Sequence, residues 1–122
     1  MDWFLIQYFK REEFDSLDEP GSGDRMSPQF VMLLDRIRHN CGFLFQIKSG
    51  FRTFARNFEI GGEENSAHLR GLAADIYTPS SWHRDAILKH AYRYGVRRRG
   101  IAKTFIHLDI DETLPQDVTW LY

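Results

Sequence analysis

The sequence predicts an α+β fold, a small antiparallel sheet with flanking helices, in one domain spanning residues 1–122. Three observations carry this expectation. Residues 29–40 and 82–94 place apolar side chains at helical spacing. Several short runs rich in aromatic and branched residues, bounded by Gly, Pro and polar clusters, read as strands. Helices and strands succeed one another without the regular βαβ rhythm of a parallel sheet.

The elements follow in order. Residues 3–8 are aromatic and branched and read as a short extended segment, with a polar stretch after it. Residues 18–25 have the Pro and Gly content of a surface loop. Ser27-Pro28 supplies an N-cap and a first-turn proline for the helix over 29–40, whose stripe is Phe30, Val31, Leu33, Leu34 and Ile37. Gly42 is its stop. Residues 43–49 read as a strand, and 53–58 as a short helix broken by Gly61-Gly62. A polar loop over 63–66 leads to His68, and 72–77 reads as a buried strand. Ser81 is the candidate cap of the helix over 82–94, whose stripe is Ile87, Ala91 and Tyr94. Residues 96–100 read as a turn or strand, and 104–110 and 118–122 as strands.

Composition narrows the function classes. At 122 residues, 43% hydrophobic and 15% aromatic, the chain can bury one core. A formal charge of −1 provides no basic field for nucleic acid or membrane, and a monomer is expected. The single cysteine, Cys41, cannot form an internal disulfide and reads as a small buried residue. The N-terminus has neither a basic start nor a long apolar run, so synthesis in the cytoplasm without a signal peptide is expected.

The chemistry concentrates in two stretches. His68 and Asp75 are both good zinc ligands, although on spacing alone they are more simply a surface histidine and a strand-end aspartate. His107 lies inside the apolar run Phe105-Ile106-His107-Leu108-Asp109-Ile110. Strand alternation puts His107 and Asp109 on one face and Ile106, Leu108 and Ile110 on the other. Such a polar pair needs partners or a metal unless it faces solvent. Three protein ligands with one open position is the arrangement of a catalytic zinc. Arg52, after Ser49-Gly50-Phe51, is either a bidentate grip for a carboxylate or an ordinary surface arginine. Ser66 either donates to a substrate or caps a turn.

The run Ser49-Gly50-Phe51-Arg52, the pair Gly61-Gly62, the motif Ser66-x-His68-x6-Asp75 and the later Phe105–Asp109 stretch together resemble the zinc D-Ala-D-Ala carboxypeptidase family. That family includes phage L-alanyl-D-glutamate peptidases and shares its fold with the hedgehog signalling domain. The closest likeness is to its short single-domain bacterial and phage branch. The resemblance implies Zn2+ held by His68, Asp75 and His107, with Arg52 binding substrate and polarising the scissile carbonyl, and Ser66 helping to hold the substrate. It implies a peptidase acting on cell-wall peptidoglycan peptides, as carboxypeptidase or endopeptidase. The alternative is a non-catalytic, zinc-stabilised peptidoglycan-binding or virion-associated protein. One departure stands out. Several members carry a general-base glutamate three residues before the last histidine, where this chain has Thr104. Asp109 is then the candidate base or a partner that orients His107, with Asp111 next in line, while His83 and His90 are expected to be structural or exposed.

Overall fold

Three α-helices and five strands form in the computed structural model, which describes residues 1–122. Helix α1 (Pro28–Cys41) starts where Ser27 accepts a hydrogen bond from the Phe30 N–H and Pro28 fills the first turn. It ends at Gly42, whose φ of 77° is a left-handed conformation that glycine adopts without strain. Its buried residues Phe30, Val31, Leu34 and Ile37 form one stripe. Helix α2 (Phe54–Glu59) is capped by Thr53, which accepts from the Arg56 N–H. Helix α3 (Ser81–Arg93) packs beside α1 and buries Ile87 and Ala91. Its cap is Ser80 rather than Ser81: Ser80 is extended and accepts from the His83 N–H, while Ser81 is already helical. No helix is long and apolar enough to cross a membrane.

The strands are β1 (Ile47–Ser49), β2 (Ala73–Tyr77), β3 (Arg98–Ile101), β4 (Phe105–Asp109) and β5 (Val118–Leu121), in the order β1-β2-β4-β3-β5. All neighbours are antiparallel except β3 and β5, which run parallel, so the sheet is mixed at one edge. The reason is topological. β4 already has β2 and β3 on its two sides, so the returning chain cannot pair with β4 itself and adds at the edge beyond β3. Running opposite to β4, it lies parallel to β3. Strand β1 is shorter than the expected run of 43–49, and its register with β2 is irregular between Ile47 and Ser49. The N-terminal segment is not extended: Trp3–Leu5 forms a single 3₁₀ turn capped by Asp2, and Ile6 and Phe9 behind it enter the core.

The core fills the space between the helices and one face of the sheet. Phe14, Phe30, Leu34, Phe45, Ile76, Ile87, Ile106 and Leu108 belong to one cluster. Full burial of such a side chain stabilises by about 1.5–3 kcal/mol. The β2–β4 register sets Ala74 opposite Leu108 and Ile76 opposite Ile106, so these four share the helix side. The same register sets Asp75 opposite His107 on the other face, and this pairing builds the site.

Candidate metal centre

His68 comes from a 3₁₀ turn, Ala67–Arg70, between the loop after α2 and strand β2. Ser66 caps that turn by accepting the His68 N–H at 3.2 Å. The turn closes at Gly71, where φ is 69° and a β-carbon would lie 2.3 Å from the Arg25 carbonyl oxygen. Only glycine therefore lets the chain pass from the His68 turn into β2 this close to the segment before α1. His68, Asp75 and His107 meet with one ligand atom each, all within 4.8 Å of one another, and all three side chains are buried.

The hydrogen bonds assign the imidazole nitrogens. His68 Nδ1 is 2.7 Å from the Gly50 carbonyl oxygen, which can only accept, so Nδ1 carries the proton. Nε2 then holds a lone pair, has no hydrogen-bond partner, and faces Asp75 Oδ1 at 3.3 Å. Two electron-rich atoms facing each other in a buried site are what a cation between them would relieve. On the other side, His107 Nδ1 lies 2.9 Å from the same Asp75 oxygen, and His107 Nε2 lies 2.6 Å from Asp109 Oδ2. With its Nε2 proton given to Asp109, His107 offers Nδ1 toward Asp75 and His68. This donor set, two imidazole nitrogens and a carboxylate oxygen, fits zinc.

The electrostatics separate the two rings. Burial pushes the His68 pKa down, which keeps the ring neutral and able to ligate. Burial alone would raise the Asp75 carboxyl, yet the two imidazoles beside it hold it well below the usual carboxylate range. For His107, burial works against the charged form, but Asp109 and Asp75 win and hold its pKa up, so a metal bound there would displace the Nδ1 proton that this favours.

Arg52 is positioned by three acceptors: Nε donates to Ser49 Oγ at 3.0 Å, Nη1 to Asn57 Oδ1 at 3.2 Å and Nη2 to Asp75 Oδ2 at 3.4 Å. The two oxygens of Asp75 thus divide their work between the histidines and Arg52. Burial lowers the Arg52 pKa, but a guanidinium remains cationic. Asn57, which the sequence did not single out, is the hub here. It is buried, accepts from Arg52 and donates through Nδ2 to the Glu63 carbonyl. A β-carbon on Gly62 would come within 2.1 Å of Asn57 Oδ1. The only sequence signal was the glycine pair, which reads as a helix break but also makes room for this amide.

Asp109 and Asp111 are both buried and both engaged. Asp109 Oδ1 accepts from Arg98 Nε and the Asp111 N–H, and Oδ2 faces His107, so its carboxylate sits on the side of the imidazole away from Asp75. Of the two roles the sequence left open, this geometry favours orienting His107. Asp111 pairs with Arg70 and caps the turn at Thr113, outside the cleft. Thr104 is exposed before β4, and His83 and His90 lie on α3 away from the site.

The three ligand residues line a cleft of about 800 Å³. Arg52, Lys48 and Arg98 bring positive charge to it, Glu63 and Glu64 negative charge, and Trp120 and Tyr122 aromatic surface. A groove of about 650 Å³ along α1 also holds ionisable groups, but Asp35 and His39 there are already hydrogen-bonded to the N-terminal segment. A comparison with known families matches residues 7–109 to the family described as Peptidase M15. No curated protein matches the chain.

Proposed function

The chain belongs to the peptidase M15 family and is a metallopeptidase, and from that premise we propose that it is a zinc peptidase cutting the peptides of bacterial cell-wall peptidoglycan. The observation that carries this reading is the unpartnered His68 Nε2, aimed at Asp75 Oδ1 beside His107 at the cleft. His68 Nε2, Asp75 Oδ1 and His107 Nδ1 would hold the ion. Zinc bound there supplies Lewis-acid polarisation of the scissile carbonyl and activation of water.

The chain's own groups do the rest. Arg52, already held by Ser49, Asn57 and Asp75, presents a cation to the charge that develops on the carbonyl oxygen, without reorganising. The same fork suits a substrate carboxylate. Ser66 Oγ accepts the His68 N–H and keeps its own O–H to donate to substrate. Asp109 holds the His107 ring. Among the cleft carboxylates, Asp75 and Asp109 are paired, whereas the side chains of Glu63 and Glu64 form no ion pair. On this reading the protein acts at the wall, as a monomer.

Digestion of purified peptidoglycan, with and without a chelator, tests the proposal by mass spectrometry of the products. Release of single D-alanine marks a D-alanyl-D-alanine carboxypeptidase, and cleavage within the peptide marks an endopeptidase. Intact peptides at every zinc concentration sink both. A second reading, a zinc-stabilised peptidoglycan binder without catalysis, draws on one observation: Thr104 replaces the ionisable residue and Asp109 is fully engaged. Sedimentation with insoluble peptidoglycan and no products would favour it.

A further inference from the structure

The cleft side of β3 carries an arginine with two contacts that converge on the ring of His107. Arg98 lies opposite Asp109 in the β3–β4 register. Its Nε donates to Asp109 Oδ1 at 2.8 Å, and its Nη1 donates to the Pro115 carbonyl oxygen at 2.7 Å. Its guanidinium lies over the Trp120 ring, 5.0 Å from the centroid, and the Trp120 ring packs against His107 with centroids 5.2 Å apart. Asp109 in turn holds His107 Nε2 at 2.6 Å. Arg98 therefore reaches His107 by two routes, through the carboxylate and through the indole.

The physical requirement comes from Asp109. A carboxylate with a side chain 0% exposed needs a compensating cation, and Arg98, itself mostly buried, is its only ion-pair partner besides His107. Without Arg98, Oδ1 keeps only the Asp111 N–H, and the carboxylate is free to turn about its last torsion. The His107 ring would then lose the fixed acceptor that directs Nδ1 toward Asp75 and His68.

We propose that Arg98 is a positioning residue of the metal centre, clamping Asp109 and Trp120 so that His107 presents Nδ1 as a ligand. This rests on the reading that His107 is a metal ligand. Lysine is a poor substitute, because a point charge cannot bond Asp109 and Pro115 in one plane while stacking on an indole.

The test measures zinc affinity of the purified chain by competition with a chromogenic chelator, with metal-free melting temperature recorded beside it. Arg98→Met is expected to weaken zinc binding by roughly 10 to 100-fold, the usual scale for losing a group that orients a ligand. Arg98→Lys is expected between the wild type and Arg98→Met, and it serves alone if Arg98→Met does not fold. In an Asp109→Asn background, removing Arg98 is expected to cost less than in the wild type, since only the route through Trp120 is left to lose. Arg97→Met, which breaks the exposed pair with Asp117, is expected to leave zinc affinity unchanged. Wild-type zinc affinity in the Arg98 variants overturns the inference and leaves the ligand assignment standing. An equal loss in the Asp109→Asn background overturns it too, because the clamp on Asp109 would then contribute nothing to the hold on His107. A wild-type chain that takes up no zinc removes the ligand assignment and this inference with it.

Discussion

Strands β2 and β4 present two faces that are equally dry and chemically opposite. On the helix side, Ala74, Ile76, Ile106 and Leu108 are each 0% exposed; on the cleft side, Asp75, His107 and Asp109 are 3%, 6% and 1% exposed. Burial does not separate a core from a site in this protein; the supply of partners does. The apolar face needs only complementary shape. On the cleft face Asp75 meets Arg52 and Asp109 meets Arg98, so each buried carboxylate has its cation. Cys41, on the helix side, shows burial winning: its thiol is pushed up to about 11 against a weaker downward pull from Lys89. The exception on the cleft face is His68 Nε2, buried and unpartnered, and this is where a metal fits.

The sharpest way to break this comparison is His68→Ala. It removes the unpartnered nitrogen and leaves the packed face intact. Zinc uptake should vanish, while the metal-free chain keeps its far-ultraviolet circular dichroism; unchanged zinc in elemental analysis would refute the assignment. Leu108→Ala does the converse. It should cost about 2–5 kcal/mol of stability in denaturant unfolding, with the zinc-to-protein ratio of the folded fraction unaltered. A cost well under 1 kcal/mol would mean that the helix side is not tightly packed.

Smaller changes sharpen the contrast within the cleft. Asp109→Asn should weaken zinc by roughly 10 to 100-fold, and peptidase activity should return as free zinc is raised. Activity that stays low in saturating zinc would place Asp109 in the chemistry itself. Arg52→Lys keeps the charge but loses the fork, at the scale of one charge-assisted hydrogen bond, about 1.5 kcal/mol or roughly tenfold in turnover. Zinc content should be unchanged, and wild-type turnover would make Arg52 a bystander.

The smallest consequence for the site is at Cys41. A pKa raised from 9.0 to about 11 means that the thiol stays protonated to higher pH. Alkylation near pH 8 should be roughly 100-fold slower than for an ordinary thiol, rising about tenfold per pH unit up to that value. Rapid labelling at pH 8 would show that the helix side does not shield it.

Local signals in the sequence were enough for α1, bounded by Ser27-Pro28 and Gly42, and they placed α2 to within one residue at each end. Alternation along 105–109 was enough to separate His107 and Asp109 from Ile106 and Leu108. The cap of α3 lay one residue earlier than expected, because Ser80 and Ser81 differ in backbone conformation rather than in chemistry. Arg98 left no mark and Asn57 only the indirect one of the Gly61-Gly62 pair, since a strand arginine and a buried amide have the same sequence signature as exposed ones.

What the sequence by itself determined is the α+β class and the positions of most elements, which rest on short-range periodicity and capping; the set of ligand-type residues came from the motifs that resemble the family. The tertiary structure alone decided that Asp75 stands opposite His107, that β5 joins β3 in parallel, and that Asp109 is clamped between Arg98 and His107. These depend on strand register and on partners brought together from distant parts of the chain. A slip of one residue between β2 and β4 would turn the cleft residues of one strand to the helix side, and no pattern within either strand states which strand will lie beside it.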